Sequence, residues 1–272
     1  MENVTLNNGI VMPMVGFGTY QITENTTLLN VDKAFRLGYR LIDTAQYYGN
    51  EEGVGEAVKE SGLPREKVFV TTKVQTTGYE ETIKGLDQSL KNFNQDYFDM
   101  VLIHWPTGDD LNTYRALETA YKDGKVRSIG LSNFNIPQVQ EILDNTTIKP
   151  VVDQIETHIL WQQERMHKFL TGNQIIHESY APLGEGNPGF LDIPVLEEIG
   201  KKYQKTPAQV TLRYFVQNGI VVIPKSTNTK HMEENINIFD FKLNGEEMAK
   251  LRDLDVKQSI DGWPTSMQEQ NY

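Results

Sequence analysis

"KVFVTTKVQTTGYEETIKGLDQSLKNF", residues 67–93, is a strand-like run followed by a helix-like run. The first run is mostly apolar or β-branched on both faces, which is typical of a strand in a parallel sheet that helices cover. In the second run Ile83, Leu86, Leu90 and Phe93 recur at spacings of three and four residues, so they form one face of an amphipathic helix. The stretch therefore predicts one β-then-α unit.

The same kind of unit recurs along the whole chain. Seven further strand-like runs are "MVGFGTY" (14–20), "YRLIDTA" (39–45), "FDMVLIHW" (98–105), "VRSIGLSN" (126–133), "PVVDQIETH" (150–158), "QIIHESYA" (174–181) and "GIVVIPKS" (219–226). Eight such units in about 250 residues predict an α/β fold of the (β/α)8 TIM barrel type, with residues 1–272 as a single domain. The pair Asn8-Gly9 predicts a short N-terminal β-hairpin, which we expect to close the bottom of the barrel.

A doubly wound open sheet is the competing arrangement. It needs a glycine-rich phosphate-binding turn after an early strand, and "GFGTYQ", residues 16–21, lacks the third glycine. "GEGNPG", residues 184–189, matches G-x-G-x-x-G, but it follows the seventh strand and contains a proline. A single match of this kind is a weak signal, so the barrel is the preferred prediction.

Charge and composition narrow the function classes. The 272 residues include 26 Lys+Arg against 37 Asp+Glu, a net charge of −11, which disfavours nucleic acid or an anionic membrane as a partner. The chain has no cysteine, so disulfides and thiolate chemistry are excluded. The start lacks the basic and apolar regions of a signal peptide, and no apolar run is long enough to span a bilayer. We expect a cytoplasmic protein.

Polar and aromatic side chains follow nearly every predicted strand. They are Asp43, Tyr48, Lys73, His104, Trp105, Ser132, Asn133, Gln154, Glu156, Tyr180, Lys225 and Ser226. In a (β/α)8 barrel the carboxyl ends of all strands meet at one mouth, where the active site is built. Each residue alone has an ordinary explanation as a cap or a packing group. An acid, a lysine, a histidine and a tyrosine at one rim together indicate a proton-transfer site.

Several separated motifs resemble the aldo-keto reductases along the whole chain. They are "GYRLIDTAQYYGNEEGVG" (38–55), "VFVTTKV" (68–74), "LIHWP" (102–106), "VRSIGLSNF" (126–134), "DQIETH" (153–158), "ESYAPLG" (178–184) and "IPKS" (223–226). Within that family the chain resembles the small microbial 2,5-diketo-gluconic acid and methylglyoxal reductases. The resemblance implies reversible reduction of a carbonyl by a nicotinamide dinucleotide that lies across the barrel mouth without a Rossmann fold.

The resemblance also implies four catalytic roles. Tyr48 is expected to donate the proton, and Lys73 beside it is expected to lower the pKa of the tyrosine by favouring the tyrosinate. Asp43 is expected to keep Lys73 charged and in place, because an unpaired buried ammonium is costly. His104 is expected to donate a hydrogen bond to the carbonyl oxygen, as an oxyanion-hole donor does. By the same resemblance, Tyr20 and Trp105 line the substrate pocket.

Ten residues match the positions where the family binds its cofactor. Ser132, Asn133 and Gln154 are expected to hold the carboxamide, Tyr180 to stack on the nicotinamide ring, Leu183 to lie along the pyrophosphate, Lys225 and Ser226 to bind the adenosine phosphate, His231 to stand near it, and Glu234 and Asn235 to contact adenine. The resemblance implies NADPH as the cofactor, with NADH also used.

Three positions depart from the family pattern. The chain has His158-Ile159 where His-Pro is usual, Tyr180 where the nearest branch has tryptophan, and His231 where an arginine usually meets the 2′-phosphate. An arginine binds such a group through a fixed, permanently charged fork, whereas a histidine offers one donor. We therefore expect a smaller preference for NADPH over NADH.

Two other functions stay open at this point. A cofactor-binding sensor or auxiliary subunit would keep the fold but turn over little, and the complete set of acid, tyrosine, lysine and histidine argues against it. A metal-dependent hydrolase or isomerase would need paired ligands, and the five histidines include no H-E-x-x-H. We expect no metal, a small carbonyl substrate and a monomer, and the last residues, "PTSMQEQNY" (264–272), give few ordering signals.

Overall fold

The computed structural model describes residues 2–260, 262 and 264–272. It begins with an antiparallel hairpin of β1 (Asn3–Thr5) and β2 (Val11–Pro13). Eight parallel strands follow: β3 (Phe17–Gly18), β4 (Leu41–Asp43), β5 (Phe69–Val74), β6 (Met100–Ile103), β7 (Ile129–Ser132), β8 (Val152–Glu156), β9 (Ile176–Tyr180) and β10 (Val221–Val222). Each pairs with the next along the chain, and all eight lie within the predicted runs.

Contacts between the first and last parallel strands close the sheet into a barrel. Val15 and Val222 form a parallel bridge. The backbone N–H of Gly16 donates to Val222 O at 2.8 Å, and that of Gly18 donates to Pro224 O at 3.2 Å. The (β/α)8 prediction is confirmed, and the doubly wound open sheet was the wrong alternative.

Ten α-helices are present among the described residues. They are α1 (Glu24–Arg36), α2 (Glu51–Glu60), α3 (Tyr79–Phe93), α4 (Asp110–Lys122), α5 (Ile136–Asn145), α6 (Glu164–Gly172), α7 (Pro194–Tyr203), α8 (Pro207–Gln217), α9 (Thr229–Ile236) and α10 (Gly245–Arg252). Helix α3 buries Leu86 and Phe93 of the predicted apolar face. "GEGNPG" contains only a short 3-10 helix, Gly184–Gly186, so it does not open a βαβ unit.

The hairpin lies at the amino ends of the strands, opposite the polar strand ends. Asn7 Nδ2 donates to Pro150 O at 2.9 Å, and Asn8 Nδ2 donates to Arg127 O at 3.2 Å, just before β8 and β7. Leu6 and Met12 of the hairpin are buried. The amino end of the barrel is therefore a packed surface and the carboxyl end carries the candidate site.

The C-terminal segment is anchored by contacts that are distant in sequence. Asn135 Nδ2 donates to Ser266 O at 2.9 Å, and Arg165 Nη1 donates to Tyr272 O at 3.0 Å. Met267 is buried, so this segment packs on the barrel despite its weak sequence signals. None of the helices in the described part of the chain is long and apolar enough to cross a membrane.

Candidate active site

A cavity of about 800 Å³ opens at the carboxyl ends of the strands. The four side chains that we call the tetrad, Asp43, Tyr48, Lys73 and His104, meet at its floor: three line the cavity, and Lys73 lies directly beneath. The other predicted residues on its wall are Tyr20, Trp105, Ser132, Asn133, Gln154, Tyr180, Leu183, Lys225, Ser226 and His231. The volume is in the range of sites for whole small molecules and cofactors.

Lys73 is completely buried and uses all three of its ammonium hydrogens. Its Nζ donates to Asp43 Oδ1 at 2.6 Å, to Thr44 O at 3.1 Å and to Tyr48 Oη at 3.3 Å. Burial alone lowers the pKa of Lys73, but the Asp43 carboxylate and Tyr48 outweigh that effect and raise it. Lys73 is therefore a fixed positive charge beside the Tyr48 hydroxyl.

The pKa of Tyr48 departs from the sequence-based expectation. Burial raises it above its ordinary value, and the opposing influence of Lys73 is smaller than this desolvation. The expected lowering was therefore wrong for the net direction, although Lys73 does act in the expected sense. A phenol that keeps its proton at neutral pH can serve as a donor, provided that the phenolate is stabilised as it forms.

His104 stands at the cavity beside the tetrad tyrosine. Its ring centroid lies 5.7 Å from that of Tyr48 and 4.2 Å from that of Trp105. Burial, with a smaller effect of Lys73, lowers the pKa of His104 to about 2. The imidazole is therefore neutral at ordinary pH and carries one N–H that can donate a hydrogen bond.

The loop that carries Tyr48 is fixed by Asn50, which sequence reasoning did not single out. Asn50 Oδ1 accepts from Thr44 Oγ1 at 2.6 Å, and its Nδ2 donates to Thr19 O at 3.0 Å and Ile22 O at 2.9 Å. The turn also needs Gly49, whose φ of 64° lies in the left-handed region. Two separate loops are thus tied together behind the tyrosine.

Gln154 connects the tetrad to a second buried acid. Its Nε2 donates to Asp43 Oδ2 at 2.9 Å and to Glu178 Oε2 at 3.1 Å. Burial and the Asp43 charge raise the pKa of Glu178 to about 8. Glu178 was not predicted, although strand alternation places it on the same face of β9 as Tyr180.

The neighbouring polar groups on β7 and β9 form a connected set. Ser132 Oγ donates to Gln154 O at 2.8 Å, Asn133 Nδ2 donates to His104 O at 3.0 Å, and Tyr180 Oη donates to Asn133 Oδ1 at 2.9 Å. Asn133 has a φ of 64°, a conformation that asparagine tolerates better than most residues. These contacts fix the side chains that were predicted to hold a carboxamide.

The opposite end of the cavity is built from residues of the loop after β10 and of α9. Lys225 and His231 are exposed, and Asn228 caps α9 by accepting from Lys230 N at 2.9 Å. Glu234 and Asn235 are not among the cavity-lining residues. Asn235 is buried, and Glu234 is half-buried with its Oε1 3.8 Å from Lys230 Nζ. The structure thus brings His231 to the cavity, while the two adenine candidates lie behind it.

Glu156 fixes the C-terminal segment at the cavity rim. Its Oε2 accepts from Ser259 Oγ at 2.7 Å, and its Oε1 accepts from the backbone N–H of Ile260 at 2.7 Å. Oε1 also lies 3.0 Å from His158 Nε2, which gives this anchor a further contact. Glu156 and Ile260 line the cavity, and this contact between residues 104 positions apart was not predicted from the sequence.

Histidines form no evident metal centre. Among residues 2–260, 262 and 264–272, no group of three or more His, Asp or Glu side chains could hold a metal ion. His167 and His177 do approach each other, with their Nδ1 atoms 3.2 Å apart, away from the cavity. The arrangement at the mouth can donate a proton, stabilise a developing oxyanion and bind a long ligand with anionic and aromatic parts.

The family follows from a match over most of the barrel. Residues 14–256 match the model of the aldo/keto reductase family. The chain belongs to the aldo/keto reductase family. As an aldo-keto reductase it is an NAD(P)H-dependent oxidoreductase that acts on carbonyls.

Curated relatives cover nearly the whole of this aldo-keto reductase. A 9,11-endoperoxide prostaglandin H2 reductase of Trypanosoma cruzi is 43% identical, over 96% of this chain and 94% of the relative. A glyoxal reductase of Bacillus subtilis is 42% identical over 98% and 97%, and a methylglyoxal reductase of Yersinia pestis is 40% identical over 94% of each chain. The resemblance to the small microbial reductases is thereby confirmed.

A solved structure is also similar. The Bombyx mori aldo-keto reductase in complex with NADP superposes with a TM-score of 0.90 at 33% identity, over 95% of this chain and 94% of that one. The aldo-keto reductase barrel described above therefore has a counterpart that binds NADP.

Proposed function

We propose that the protein reduces aldehydes, α-dicarbonyls or keto sugars to alcohols with NADPH, and that Tyr48 supplies the proton. One observation carries the proposal: the buried Lys73 ammonium joins Asp43 Oδ1 at 2.6 Å to Tyr48 Oη at 3.3 Å at the floor of the cavity. A loop tyrosine with only a packing role does not need a costly buried ion pair behind it. A tyrosine that releases a proton does need one, because the positive charge stabilises the phenolate that forms.

Each residue of the tetrad has a separate role in the reduction of the carbonyl group. The high pKa of Tyr48 keeps its proton in place until negative charge grows on the carbonyl oxygen, and Lys73 then stabilises the phenolate that forms. Asp43 prevents the buried Lys73 from losing its charge. Neutral His104 donates its N–H to the same oxygen and polarises the carbonyl.

The cavity wall fits a nicotinamide dinucleotide. Bound NADPH supplies a hydride to the carbonyl carbon. Ser132, Asn133 and Gln154 would hold the carboxamide of the cofactor, Tyr180 would offer its nicotinamide ring a flat face, and Leu183 would contact its pyrophosphate. At the other end Lys225, Ser226 and His231 would bind the adenosine phosphate, and Glu234 and Asn235 would be the residues for adenine. The NADP complex of a relative supports this assignment, and NADH is used as well.

Small, reactive carbonyl compounds suit the substrate end. Tyr20 and Trp105 are partly exposed aromatic walls, and Tyr47, 61% exposed, adds a third. Its ring lies 5.8 Å from that of Trp105. Such walls bind short carbonyl compounds through apolar contact without strong demands on shape. The glyoxal and methylglyoxal reductases among the relatives support α-dicarbonyls as substrates.

The proposal is tested by following NADPH absorbance with glyoxal, methylglyoxal and a keto sugar as separate substrates. We expect NADPH consumption that a chelator does not change and that Tyr48→Phe abolishes. Tight NADPH binding without turnover on any carbonyl would favour the sensor function instead. Turnover that a chelator removes would favour a metal enzyme.

The proposal also covers the oligomeric state of the protein, its location in the cell and the role of its N-terminal hairpin. The chain acts as a single-domain monomer in the cytoplasm, with the N-terminal hairpin closing the barrel bottom. The hydrogen bonds of Asn7 and Asn8 at the amino ends of the strands support the role of the hairpin. Light scattering during size-exclusion chromatography checks the monomer, and a dimer mass would contradict it.

A further inference from the structure

A fully buried glutamate lies directly behind the tetrad. Glu178 is in the middle of β9, between Gln154 of β8 and Val221 of β10. Its Oε2 accepts from Gln154 Nε2 at 3.1 Å, while its Oε1 is buried without a hydrogen-bond partner in the described part of the chain. A carboxylate in such a place would lack the donors that normally compensate a buried charge.

The hydrogen bonds form one continuous path from Glu178 to the cavity. Gln154 spends both amide hydrogens, on Glu178 Oε2 and Asp43 Oδ2. Asp43 uses its other oxygen for Lys73, whose Nζ reaches Tyr48 Oη. A change at Glu178 can therefore reach Asp43 through Gln154, in addition to the direct effect of the Glu178 charge on Asp43. With both amide hydrogens used, the Oε1 atom is the part of the Gln154 amide that can still accept a hydrogen bond from a ligand.

The charges that face Glu178 come from two other strands. Asp43 on β4 and Lys73 on β5 are the charged groups, β8 offers the uncharged Gln154, and β10 offers Val221. At neutral pH the ion pair of Asp43 and Lys73 and a protonated Glu178 together carry no net charge. Burial and the Asp43 carboxylate raise the pKa of Glu178 to about 8, so mild alkali adds a negative charge to this buried region.

We propose that Glu178 is a positioning residue of the tetrad: protonated, it holds Gln154 against Asp43, and ionised, it opposes proton release by Tyr48. The inference rests on the proposed role of Tyr48 as donor. A second negative charge near Asp43 stabilises the ammonium of Lys73 but disfavours the phenolate that Tyr48 becomes during reduction. Carbonyl reduction should therefore slow as Glu178 ionises.

The first test is the pH dependence of the chemical step, measured by rapid mixing at saturating NADPH and substrate from about pH 6 to about pH 9.5. The wild-type rate should fall about three- to tenfold across Glu178 ionisation, as expected for one added like charge. In Glu178→Gln this fall should disappear, because the side chain is neutral throughout. An identical fall in both proteins would overturn the inference.

A matched control neutralises a different buried acid. Glu51 in α2 is also buried with a raised pKa because of desolvation, and its Oε1 accepts from Thr72 Oγ1 at 2.6 Å, whereas Gln154 donates to Glu178 and not to Glu51. Glu51→Gln should keep the wild-type fall with pH. If it removes that fall as Glu178→Gln does, the effect comes from general stability and the inference fails.

The second test needs neither cofactor nor substrate. A protonated carboxylic acid has a carbonyl stretching band that is separate from those of carboxylates. The infrared difference spectrum between wild type and Glu178→Gln at neutral pH should show this band, and it should vanish at alkaline pH. Its absence at neutral pH would show that Glu178 is already ionised and would overturn the inference.

Tyr48→Phe in the same rapid-mixing assay separates the two proposals. If this variant keeps its rate, the donor assignment fails, whatever Glu178 does. If it loses its rate while Glu178→Gln keeps the wild-type pH profile, only the role of Glu178 fails.

Discussion

The two ends of the cavity are built on opposite principles. At the tetrad end Asp43, Lys73 and Gln154 are almost fully buried, and the side-chain N–H groups of Lys73 and Gln154 all have partners. At the end proposed to bind the adenosine phosphate, Lys225, Asn228 and His231 are exposed, on the loop after β10 and in the first turn of α9. Buried charges interact strongly and are barely screened by salt, whereas exposed charges interact weakly and are screened. The proposed proton transfer thus takes place where electrostatic interactions are strong. The proposed choice between cofactors is made where a single contact can be changed with little effect on stability.

Loss of the buried lysine should have the largest effect. Lys73→Met leaves the Asp43 carboxylate without its cation in a dry interior, which should lower the free energy of unfolding by about 3–5 kcal/mol. It also removes the charge that stabilises the phenolate, so kcat should fall by at least ~10². Denaturant titration and kcat measure the two losses. A free energy of unfolding equal to that of the wild type would show that the buried ion pair at the tetrad end does not interact more strongly than exposed charges do.

Loss of the proton donor should reduce only the rate. Tyr48→Phe should lower kcat by roughly 10²–10⁴ while the Kd for NADPH, followed by tryptophan fluorescence, stays near the wild-type value. Tyr47→Phe is the matched control, because Tyr47 is its exposed neighbour. A dead Tyr47→Phe beside an active Tyr48→Phe would mean that the wrong tyrosine was assigned.

The loop behind the tyrosine should show an intermediate effect. Asn50→Ala removes the two hydrogen bonds that tie the Tyr48 loop to Thr19 O and Ile22 O, and the one that Asn50 accepts from Thr44 Oγ1. We expect a loss of about 1–3 kcal/mol in stability and a fall in kcat, because buried partners lose their hydrogen bonds and the phenol is misplaced.

Asn8→Ala is the control for this variant, since Asn8 makes comparable contacts at the hairpin, with Arg127 O and Ser128 Oγ. It should leave kcat unchanged. Equal loss of kcat in both variants would show that the Tyr48 loop has no specific role in catalysis.

Cofactor preference should show the smallest effect. His231→Arg adds a permanent charge and a forked donor near Lys225, so it should tighten NADPH by about 1–2 kcal/mol and leave NADH nearly unchanged. The gain should shrink with salt, because this end is exposed. Measurement of both Kd values at two salt concentrations checks this. An unchanged ratio would mean that His231 points away from the phosphate.

The strands and the tetrad could be predicted because a barrel brings strand ends together whatever the helices do. Asp43, Lys73 and His104 were predicted from their positions at the ends of apolar runs alone. The role of Glu178 could not be predicted this way, since it depends on contact with Gln154 inside the barrel. The net pKa direction of Tyr48 was missed for a related reason: the sequence reveals the neighbouring lysine but not how completely the hydroxyl is removed from water.

The C-terminal segment escaped prediction because its order comes from distant partners. Asn135 and Ser266 are 131 residues apart, and Glu156 meets Ser259 at a separation of 103. No local pattern of caps or apolar spacing encodes such contacts. The same holds for Glu234 and Asn235, whose distance from the cavity wall depends on how α9 packs.

The anchoring of this segment by Glu156 has a consequence for how such enzymes diversify. Ile260 lines the cavity, yet the described residues of the segment 256–272 contribute no side chain to the tetrad and no strand to the barrel. Mutations there can reshape the pocket for a new carbonyl while the proton-transfer apparatus is inherited intact. Exchange of residues 256–272 between relatives is therefore a direct way to recruit one ancestral reaction to different metabolites.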